Sequence, residues 1–376
     1  MSWNAWLDEQ AALREAAGLT RRLKPRAHDD GVIDLAGNDY LGLATHPEVT
    51  AAAAAAARRW GGGAAASRLV TGTLDIHAEL ERELAAYLRQ PAALVLSTGY
   101  HANLSIVSAL ADKDTRIVSD AHVHASLIDA TRLARAQVTV TPHNDVAAVE
   151  AALASTGSVG DSRGALVLVE SIYSVLGDAA PLVELAAACE RHGALLVVDE
   201  AHGLGVHGRG LVANAGLAGL DHVVVTATLS KALGSQGGAV FGSPALIEHL
   251  INKARPFIFD TGLAPASAAA ALGALRLLES DPEATDRIRR RVEGFAARAG
   301  VEAPAGAVTS IPMPSPQAAL AAAEACAAEG VRVGCFRPPS VPDGISRLRV
   351  TANAGLSDED WARATDIVIK VAESYR

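Results

Sequence analysis

The 376-residue chain is predicted to be an α/β protein with a mainly parallel central sheet, helices on both faces and a smaller C-terminal α+β domain. Seven apolar segments in the middle of the chain are continuous runs of Val, Leu, Ile and Ala, which is typical of strands buried on both faces. Segments of helical length separate several of these runs, for example residues 182–192, as the crossovers between parallel strands require. The strand candidates are residues 93–97, 115–118, 137–140, 165–169, 194–198, 222–225 and 238–241.

Smaller elements precede this sheet, and we expect residues 1–45 to form an N-terminal helix and arm. Residues 2–24 are predicted to form an amphipathic helix, because large apolar side chains recur on one side. A short strand at residues 32–35 leads into a turn-rich segment at 38–43, and a helix is expected over residues 46–60. The apolar side chains of the first helix are Trp3, Trp6, Leu7 and Leu13.

The large domain is expected to span residues 46–264, and a C-terminal domain is expected over residues 265–376. A helix over residues 265–279 connects the two domains and ends near Asp281, because the residue before a proline disfavours helical backbone. The C-terminal domain has strand candidates near residues 331–333 and 347–350. Its last helix is predicted to start at Ser357, whose hydroxyl is a suitable N-cap.

The composition argues against several classes of function. Lys and Arg total 33 against 42 Asp and Glu, a formal charge of −9, which disfavours a general nucleic-acid or membrane-surface binder. No apolar run reaches the ~18 residues of a membrane span, and the N-terminus lacks the pattern of a signal peptide. The three cysteines have no CxxC spacing, which fits a reducing cytoplasm. They are Cys189, Cys326 and Cys335.

A carboxylate and a lysine at the ends of two successive strands indicate the chemistry. Asp199 follows the apolar run 194–198 and is itself followed by Glu-Ala-His202-Gly, whereas Lys231 follows the run 223–228 among hydroxyl and glycine residues. A lysine amine forms an imine with the aldehyde of pyridoxal phosphate, and a carboxylate keeps the pyridine nitrogen protonated so that the ring withdraws electrons. Ligands of parallel sheets bind beyond the carboxyl ends of the strands, where these residues fall. The sequence therefore predicts a pyridoxal phosphate site.

Candidates for the phosphate and the ring face lie nearby in the chain. Gly99 and Tyr100 follow a strand and open a helix whose N–H groups suit a phosphate, although an ordinary strand-to-helix turn is an equally consistent interpretation. Thr228 adds a hydroxyl to the same cradle. The flat imidazole of His124 suits the ring face, and His122 is its rival two residues earlier.

Two places carry cations suited to an anionic substrate. Arg349, in a late strand, is the candidate for bidentate pairing with a substrate carboxylate, and Arg347 is its rival. Arg21 belongs to a basic cluster at residues 21–26 that suits an anionic ligand. A solvated basic helix end explains that cluster equally well.

A glycine-rich segment offers an alternative from a different class of protein. Residues 203–208 match G-x-G-x-x-G after a strand, which is the fingerprint of a dinucleotide site and of a nucleotide-dependent oxidoreductase. However, further glycines follow at Gly210 and Gly216, so no clean helix is expected to open there. We therefore predict a turn-rich loop. No spacing typical of metal ligands is present, and no metal is expected.

Eight motifs, taken together, resemble the α-oxoamine synthases. These are fold-type I pyridoxal phosphate enzymes that join an amino acid to an acyl-CoA with loss of carbon dioxide. The resemblance covers nearly the whole chain and predicts the fold of that class. The motifs are residues 38–43, 67–73, 99–103, 124–126, 143–145, 199–203, 228–231 and 337–342.

The resemblance implies a role for each candidate residue around the ring. Lys231 would be the imine-forming lysine and Asp199 the partner of the ring nitrogen. His124 would stack on the ring, while Ser174 and His202 would lie near its phenolic oxygen. The family's catalytic groups would thus be Lys231, His124, Asp199 and His202.

The resemblance also implies a homodimer with each site between two subunits. Gly99, Tyr100 and Thr228 would bind the phosphate, and Thr261 would reach the phosphate of the partner subunit. For the substrates, the resemblance implies that Arg349 binds the amino-acid carboxylate and that Asn38 borders the neighbouring site. Arg21, from the basic cluster, is a further candidate for substrate binding.

Within the family, residues 67–70 and 99–103 are more similar to the branch that joins L-alanine to pimeloyl-CoA, or another pimeloyl thioester, in biotin biosynthesis. The sibling branches use glycine, as the 2-amino-3-ketobutyrate CoA ligases and 5-aminolevulinate synthases do. They remain the alternative at this point, and acyl-chain selectivity is left open.

Overall fold

The computed structural model describes residues 1–28, 30–155, 164–338, 340–341 and 343–376. Two positions of the motif 337–342, Pro339 and Pro342, lie outside the described residues. The described part contains a seven-stranded sheet and a four-stranded sheet.

The seven-stranded sheet confirms the predicted α/β class. Its order is β2-β8-β7-β6-β5-β3-β4, in which β7, β6, β5, β3 and β4 are parallel to one another and β8 is antiparallel to both β2 and β7. All seven predicted strands form, within one to three residues of the expected bounds. The strands are β2 (Ala92–Leu96), β3 (Arg116–Asp120), β4 (Gln137–Thr141), β5 (Leu166–Glu170), β6 (Leu195–Asp199), β7 (Val223–Thr228) and β8 (Gly238–Gly242).

Both faces of this sheet are buried, which explains the continuous apolar runs. Along β5, Val167 and Val169 belong to one hydrophobic cluster, whereas Leu166 and Leu168 belong to another on the opposite face. Successive side chains of a strand point to opposite faces, so a strand covered on both sides has apolar residues at every position. The carboxyl ends of β7, β6, β5 and β3 consequently meet at one edge that carries polar residues.

Helices cover both faces and connect the strands. Predicted helices at residues 46–60, 182–192 and 265–279 and the C-terminal helix all form, and Ser357 Oγ accepts the Asp360 N–H as the expected cap. The helices are α1 (Trp3–Ala16), α2 (Pro47–Trp60), α3 (Asp75–Tyr87), α4 (Gly99–Leu110), α5 (Ala125–Ala134), α6 (Val146–Ala154), α7 (Leu182–His192), α8 (Leu211–Asn214), α9 (Pro244–Lys253), α10 (Arg255–Ile258), α11 (Pro265–Ser280), α12 (Glu283–Ala299), α13 (Pro316–Ala328) and α14 (Asp358–Tyr375).

The four-stranded sheet has the order β1-β10-β11-β9 and a hydrophobic cluster of its own. Its strands are β1 (Ile33–Leu35), β9 (Val308–Pro312), β10 (Val331–Phe336) and β11 (Arg347–Thr351). β1 pairs in parallel with β10, so the N-terminal arm joins the C-terminal sheet. Strand β9 was not predicted, because its short run contains Ser310 and ends in Pro312. The predicted domain boundaries at residues 45 and 264 stay a prediction.

The predicted first helix is wrong in its C-terminal third, because α1 ends at Ala16 rather than at residue 24. Gly18 adopts a left-handed φ of 66°, and Leu19 N–H donates to Arg14 O at 2.8 Å, which closes the helix in the manner of a glycine C-cap. The apolar side chains of α1 are exposed. Among the described residues, no helix is both long and apolar enough to span a bilayer.

Candidate active site

Asp199, the last residue of β6, anchors a buried hydrogen-bond network at the carboxyl edge of the sheet. Its Oδ2 accepts from Asn103 Nδ2 at 2.7 Å, and its Oδ1 accepts from the Ala201 N–H at 2.9 Å. Asn103 Nδ2 also lies 2.8 Å from Ser126 Oγ, and Asn103 Oδ1 accepts from Thr226 Oγ1 at 2.6 Å. Four elements therefore fix the position of one carboxylate.

Lys231 lies in a tight turn that follows β7. The Leu229 N–H donates to Gly237 O at 3.0 Å, so the chain returns at once into β8 and leaves the lysine at the sheet edge. Burial lowers the pKa of Lys231 to about 8, and the carboxylates of Asp199 and Glu170 partly offset this effect. A lysine with such a pKa is partly neutral at neutral pH, so its amine is available for proton transfer or attack on a carbonyl.

His202 is a buried neutral imidazole between a lysine and a tyrosine. Its Nε2 lies 2.7 Å from Lys231 Nζ, and its Nδ1 lies 2.6 Å from Tyr40 Oη. Burial holds the pKa of His202 well below its usual range, and the charges of Lys231 and Arg349 lower it further. Tyr40 belongs to the motif at residues 38–43, but no role was predicted for it from the sequence.

His124 belongs to this site, whereas its rival His122 belongs to a separate cluster. His124 caps α5, its Nδ1 lies 2.7 Å from Ser126 Oγ, and the charges of Asp199 and Lys231 act on it. Its ring is exposed, yet partial desolvation lowers its pKa. His122 instead stacks on His143, with ring centroids 4.0 Å apart.

Arg349 is a buried cation that forms no ion pair within the described residues. Its guanidinium donates to Ser174 O at 3.2 Å and to Asn38 Oδ1 at 3.0 Å, and its charge lies 5.0 Å from the centroid of the Phe336 ring. Its rival Arg347 is neutralised by Asp343. A buried unpaired charge is costly, so Arg349 suits an external carboxylate.

The start of α4 and the end of β7 form a compact cradle. Thr98 Oγ1 accepts the His101 N–H at 3.0 Å as the N-cap, which leaves the N–H groups of Gly99 and Tyr100 for a ligand. A Cβ on Gly99 would lie 2.9 Å from Thr228 Cβ, so only glycine allows this approach. The Tyr100 side chain turns away and donates to Asp129 Oδ2 at 2.8 Å.

Two candidates from the sequence lie at the margin of the site. Thr261 is exposed and forms an isolated antiparallel bridge with Ser67. Arg21, on the N-terminal arm, donates to Ser340 Oγ at 3.0 Å and lines a cavity of about 120 Å³ together with Phe336. The Phe336 ring that lines this cavity also contacts the Arg349 guanidinium.

The glycine-rich segment at residues 203–208 forms a series of turns, as predicted. The next helix, α8, has four residues, which is too short for a dinucleotide fingerprint. A Cβ on Gly203 would lie 1.8 Å from Glu200 Oε2, so the backbone packs against a protein carboxylate and not around a phosphate. The Glu200 carboxylate accepts the Val212 N–H at 2.7 Å. The oxidoreductase alternative is therefore not supported.

The described residues fit pyridoxal phosphate part by part. A partly buried lysine of lowered pKa suits the aldehyde, and a carboxylate held by Asn103 suits the ring nitrogen. The cradle at Gly99, in which a side chain would collide with Thr228, suits the phosphate. These groups converge on one edge of the sheet although they come from different strands.

Comparisons with known proteins agree with this geometry. The family described as aminotransferase class I and II matches residues 30–368 of the chain. The 8-amino-7-oxononanoate synthase of Mycolicibacterium gilvum (strain PYR-GCK) is 54% identical over 98% of this chain and 97% of its own length. The protein of that name from Mycobacterium marinum (strain ATCC BAA-535 / M) is 52% identical over 99% of this chain and 96% of its own length.

Solved structures share the fold over almost the whole chain. A variant of the serine palmitoyltransferase of S. paucimobilis, solved with bound pyridoxal phosphate and myriocin, has a TM-score of 0.91 at 29% sequence identity. It covers 100% of this chain and 99% of that chain. The 8-amino-7-oxononanoate synthase of Francisella tularensis has a TM-score of 0.76 at 25% identity, covering 92% of this chain and 99% of that chain.

Proposed function

Since the chain belongs to the aminotransferase class I and II family and, within it, to the 8-amino-7-oxononanoate synthases, we propose a reaction of that kind. The enzyme is an acyltransferase that condenses L-alanine with pimeloyl-CoA, or another pimeloyl thioester, and releases CoA and carbon dioxide. The product is 8-amino-7-oxononanoate, an intermediate of biotin biosynthesis. One observation carries the proposal, namely a partly buried lysine with a pKa of about 8 that feels the charges of a fixed carboxylate and of an arginine without an ion pair among the described residues.

Pyridoxal phosphate, when bound, supplies a reactive carbonyl carbon and a ring that withdraws electrons from the substrate. Lys231 would hold it covalently, and Asp199 would lie at the ring nitrogen. His124 would cover the ring face, and Ser174 and His202 would lie at the phenolic oxygen. The phosphate would be bound by the N–H groups and hydroxyl of the cradle, which are those of Gly99, Tyr100 and Thr228.

Lys231 is proposed to move the proton of the amino acid. With a pKa of about 8, roughly a tenth of its Nζ groups are neutral at pH 7, so the amine can accept the α-proton and later return a proton. His202 holds Nζ at 2.7 Å and remains uncharged itself, because burial lowers its pKa. The lysine therefore faces a partner that carries no charge of its own.

Arg349 is proposed to bind the carboxylate of L-alanine. Its guanidinium is held by Ser174 O and Asn38 Oδ1, which fixes the plane of the fork for bidentate pairing. The position of the carboxylate then orients the α-carbon toward Lys231. Arg21 lines a cavity together with Phe336, whose ring also contacts Arg349, and we assign Arg21 to the anionic acyl thioester.

The proposed assembly is a homodimer with sites between the subunits. Two joined loops carry exposed apolar side chains next to Thr261, which supports this assignment because apolar patches of this kind mark interfaces. Their exposed residues are Leu69, Val70 and Phe259. Light scattering of the purified chain should give a dimer, and Phe259→Asp should weaken it. The three free cysteines support a cytoplasmic location.

An assay of substrate pairs tests the proposed reaction. Alanine, glycine and serine are each combined with pimeloyl-CoA and palmitoyl-CoA, and the release of CoA and carbon dioxide is measured. Alanine with pimeloyl-CoA should give the highest kcat/KM. A higher kcat/KM with glycine would instead support a glycine-using sibling. Lys231→Ala should abolish turnover, whereas Lys253→Ala, which removes an exposed lysine at the end of α9, should not change it.

A further inference from the structure

A chain of four hydrogen bonds connects the lysine of the site to its carboxylate-binding end. Lys231 Nζ lies 2.7 Å from His202 Nε2, and His202 Nδ1 lies 2.6 Å from Tyr40 Oη. Tyr40 Oη in turn donates to Asn38 Oδ1 at 3.3 Å. The same Asn38 oxygen accepts from Arg349 Nη2 at 3.0 Å. Each member of the chain comes from a different part of the sequence except Asn38 and Tyr40.

The middle of this chain has two possible hydrogen-bond arrangements. A neutral imidazole carries one proton, so one ring nitrogen donates and the other accepts. When Lys231 is charged it can only donate, so His202 Nε2 accepts, Nδ1–H donates to Tyr40 Oη and the hydroxyl donates to Asn38. When Lys231 is neutral its lone pair accepts from Nε2–H, and the Tyr40 hydroxyl donates to Nδ1.

Tyr40 satisfies both arrangements because a hydroxyl is a donor and an acceptor at once. It is fully buried, and burial raises its pKa to about 12, so the hydroxyl keeps its proton across the working pH range. A phenylalanine at this position would leave Nδ1 without a partner in both arrangements. In the arrangement with charged Lys231, the phenylalanine would leave the Nδ1–H group unpaired, and in the arrangement with neutral Lys231 it would leave only the Nδ1 lone pair unpaired. An unpaired buried N–H costs more free energy than an unpaired ring lone pair, so the substitution mainly destabilises the arrangement with charged Lys231.

We propose that Tyr40 is a positioning residue, whose hydroxyl lets His202 exchange tautomers as Lys231 gains or loses its proton. The hydroxyl thereby couples the lysine to Asn38 and Arg349 at the carboxylate-binding end of the site. This inference rests on the proposed function for the role of Lys231, but the hydrogen bonds that it concerns are all between side chains of this protein.

The other charges around the relay favour the same behaviour. Asp199 and Glu170 face Lys231 and stabilise its charged form, whereas Arg349 opposes it. Lys231, Arg349 and His124 face His202 and oppose a positive charge on the imidazole. His202 therefore responds to the protonation of Lys231 by moving its single proton between Nδ1 and Nε2, and not by becoming charged.

Nitrogen-15 chemical shifts of the histidine ring test the relay in the wild-type chain. The full-length protein, labelled at histidine nitrogens and stripped of cofactor, is titrated from pH 6.5 to 9.5, with His202 assigned by comparison with His202→Gln. We expect the ring to stay neutral while its proton moves from Nδ1 to Nε2 around pH 8. A single tautomer over the whole titration, or a charged ring, would overturn the proposal.

Tyr40→Phe tests the same relay through the lysine. The pKa of Lys231 is read from the pH dependence of its acylation by acetic anhydride, quantified by peptide mass spectrometry on the cofactor-free chain. We expect this pKa to fall by about one unit, the size of the change that loss of one hydrogen bond produces. Tyr87→Phe, which removes a hydroxyl outside the site, should leave it unchanged.

An unchanged Lys231 pKa in folded Tyr40→Phe would overturn the proposal, and circular dichroism establishes that the variant is folded. If it is not folded, the nitrogen-15 titration of the wild-type chain decides alone. Neither measurement uses cofactor or substrate. A negative result in the substrate assay with a positive result here would therefore refute the proposed reaction and leave the relay standing.

Discussion

Asn103→Ala removes the residue on which the geometry of Asp199 depends. Asn103 is 2% exposed and makes three hydrogen bonds, to the Asp199 carboxylate and to the hydroxyls of Ser126 and Thr226. The alanine variant would remove all three hydrogen bonds from a buried region. It would also loosen the carboxylate that is proposed to lie at the cofactor's ring nitrogen, leaving it the hydrogen bond from the Ala201 N–H.

The size of the effect follows from these contacts. A hydrogen bond to a charged group contributes about 1.5–3 kcal/mol and a neutral one about 1 kcal/mol, which gives an upper limit of about 5 kcal/mol for the three. Water that enters the space left by the amide restores part of this, so we expect a loss of about 3 kcal/mol in the free energy of unfolding. For a chain of this length, that loss lowers Tm by about 4 °C.

The affinity of the variant for pyridoxal phosphate should fall together with its stability, because the Asp199 carboxylate has lost its hydrogen bond from Asn103. Absorbance titration of the cofactor-free chain with pyridoxal phosphate should give a Kd at least about tenfold higher for Asn103→Ala than for the wild type, equivalent to about 1.4 kcal/mol. Asn252→Ala is the matched control, since Asn252 is exposed on α9 and donates to Glu248 O within the same helix. Equal Kd values for Asn103→Ala and the control would refute the role of Asn103.

The carboxylate-binding, lysine and phosphate-binding parts of the site each give a further prediction. Arg349→Lys should raise the KM for alanine about 10–100-fold in steady-state assays without changing the KM for the acyl-CoA, since a bidentate pair is lost. An equal rise in both constants would contradict that role. The rate of cofactor capture by the cofactor-free chain should rise about tenfold from pH 7 to pH 9 and then level off, because the neutral fraction of Lys231 grows around its pKa of about 8. A steady rise of about 100-fold would indicate an ordinary lysine. Gly99→Ala places a Cβ 2.9 Å from Thr228 Cβ and should raise the cofactor Kd about tenfold in the absorbance titration, whereas Gly294→Ala, with open space around it, should not. If Gly99→Ala had the same cofactor Kd as the wild type, the proposal that Gly99, Tyr100 and Thr228 bind the phosphate would be refuted.

The large sheet was predictable because its signal is local. A strand buried on both faces needs apolar residues at every position, and β5 and β7 are buried along their whole length. The polar residues that follow such runs stand at the carboxyl edge whatever the details of packing, which is why Asp199 and Lys231 could be singled out. The hydrogen-bond partners of these two residues, and the choice between alternative residues elsewhere in the site, could be identified only in the folded chain.

Contacts between distant segments explain what the sequence did not reveal. Tyr40 and His202 are 162 positions apart, and nothing near Tyr40 indicates that its hydroxyl has a buried imidazole as its partner. Asn103 offered a signal, because an amide stands among apolar residues in α4 and a buried polar side chain requires partners. Strand β9 is recognisable only from its antiparallel partner β11. The choice of Arg349 over Arg347 depends on their contacts in the fold, because Arg347 pairs with Asp343 whereas Arg349 has no such carboxylate partner among the described residues.

Reduction with borohydride after incubation with pyridoxal phosphate tests the central claim most directly. The chain has five lysines, and Lys231 alone is not exposed, so peptide mass spectrometry can separate specific attachment from surface labelling. We predict one stoichiometric phosphopyridoxyl group on the peptide that contains Lys231. Absence of the group, or its distribution over the exposed lysines, would contradict the account.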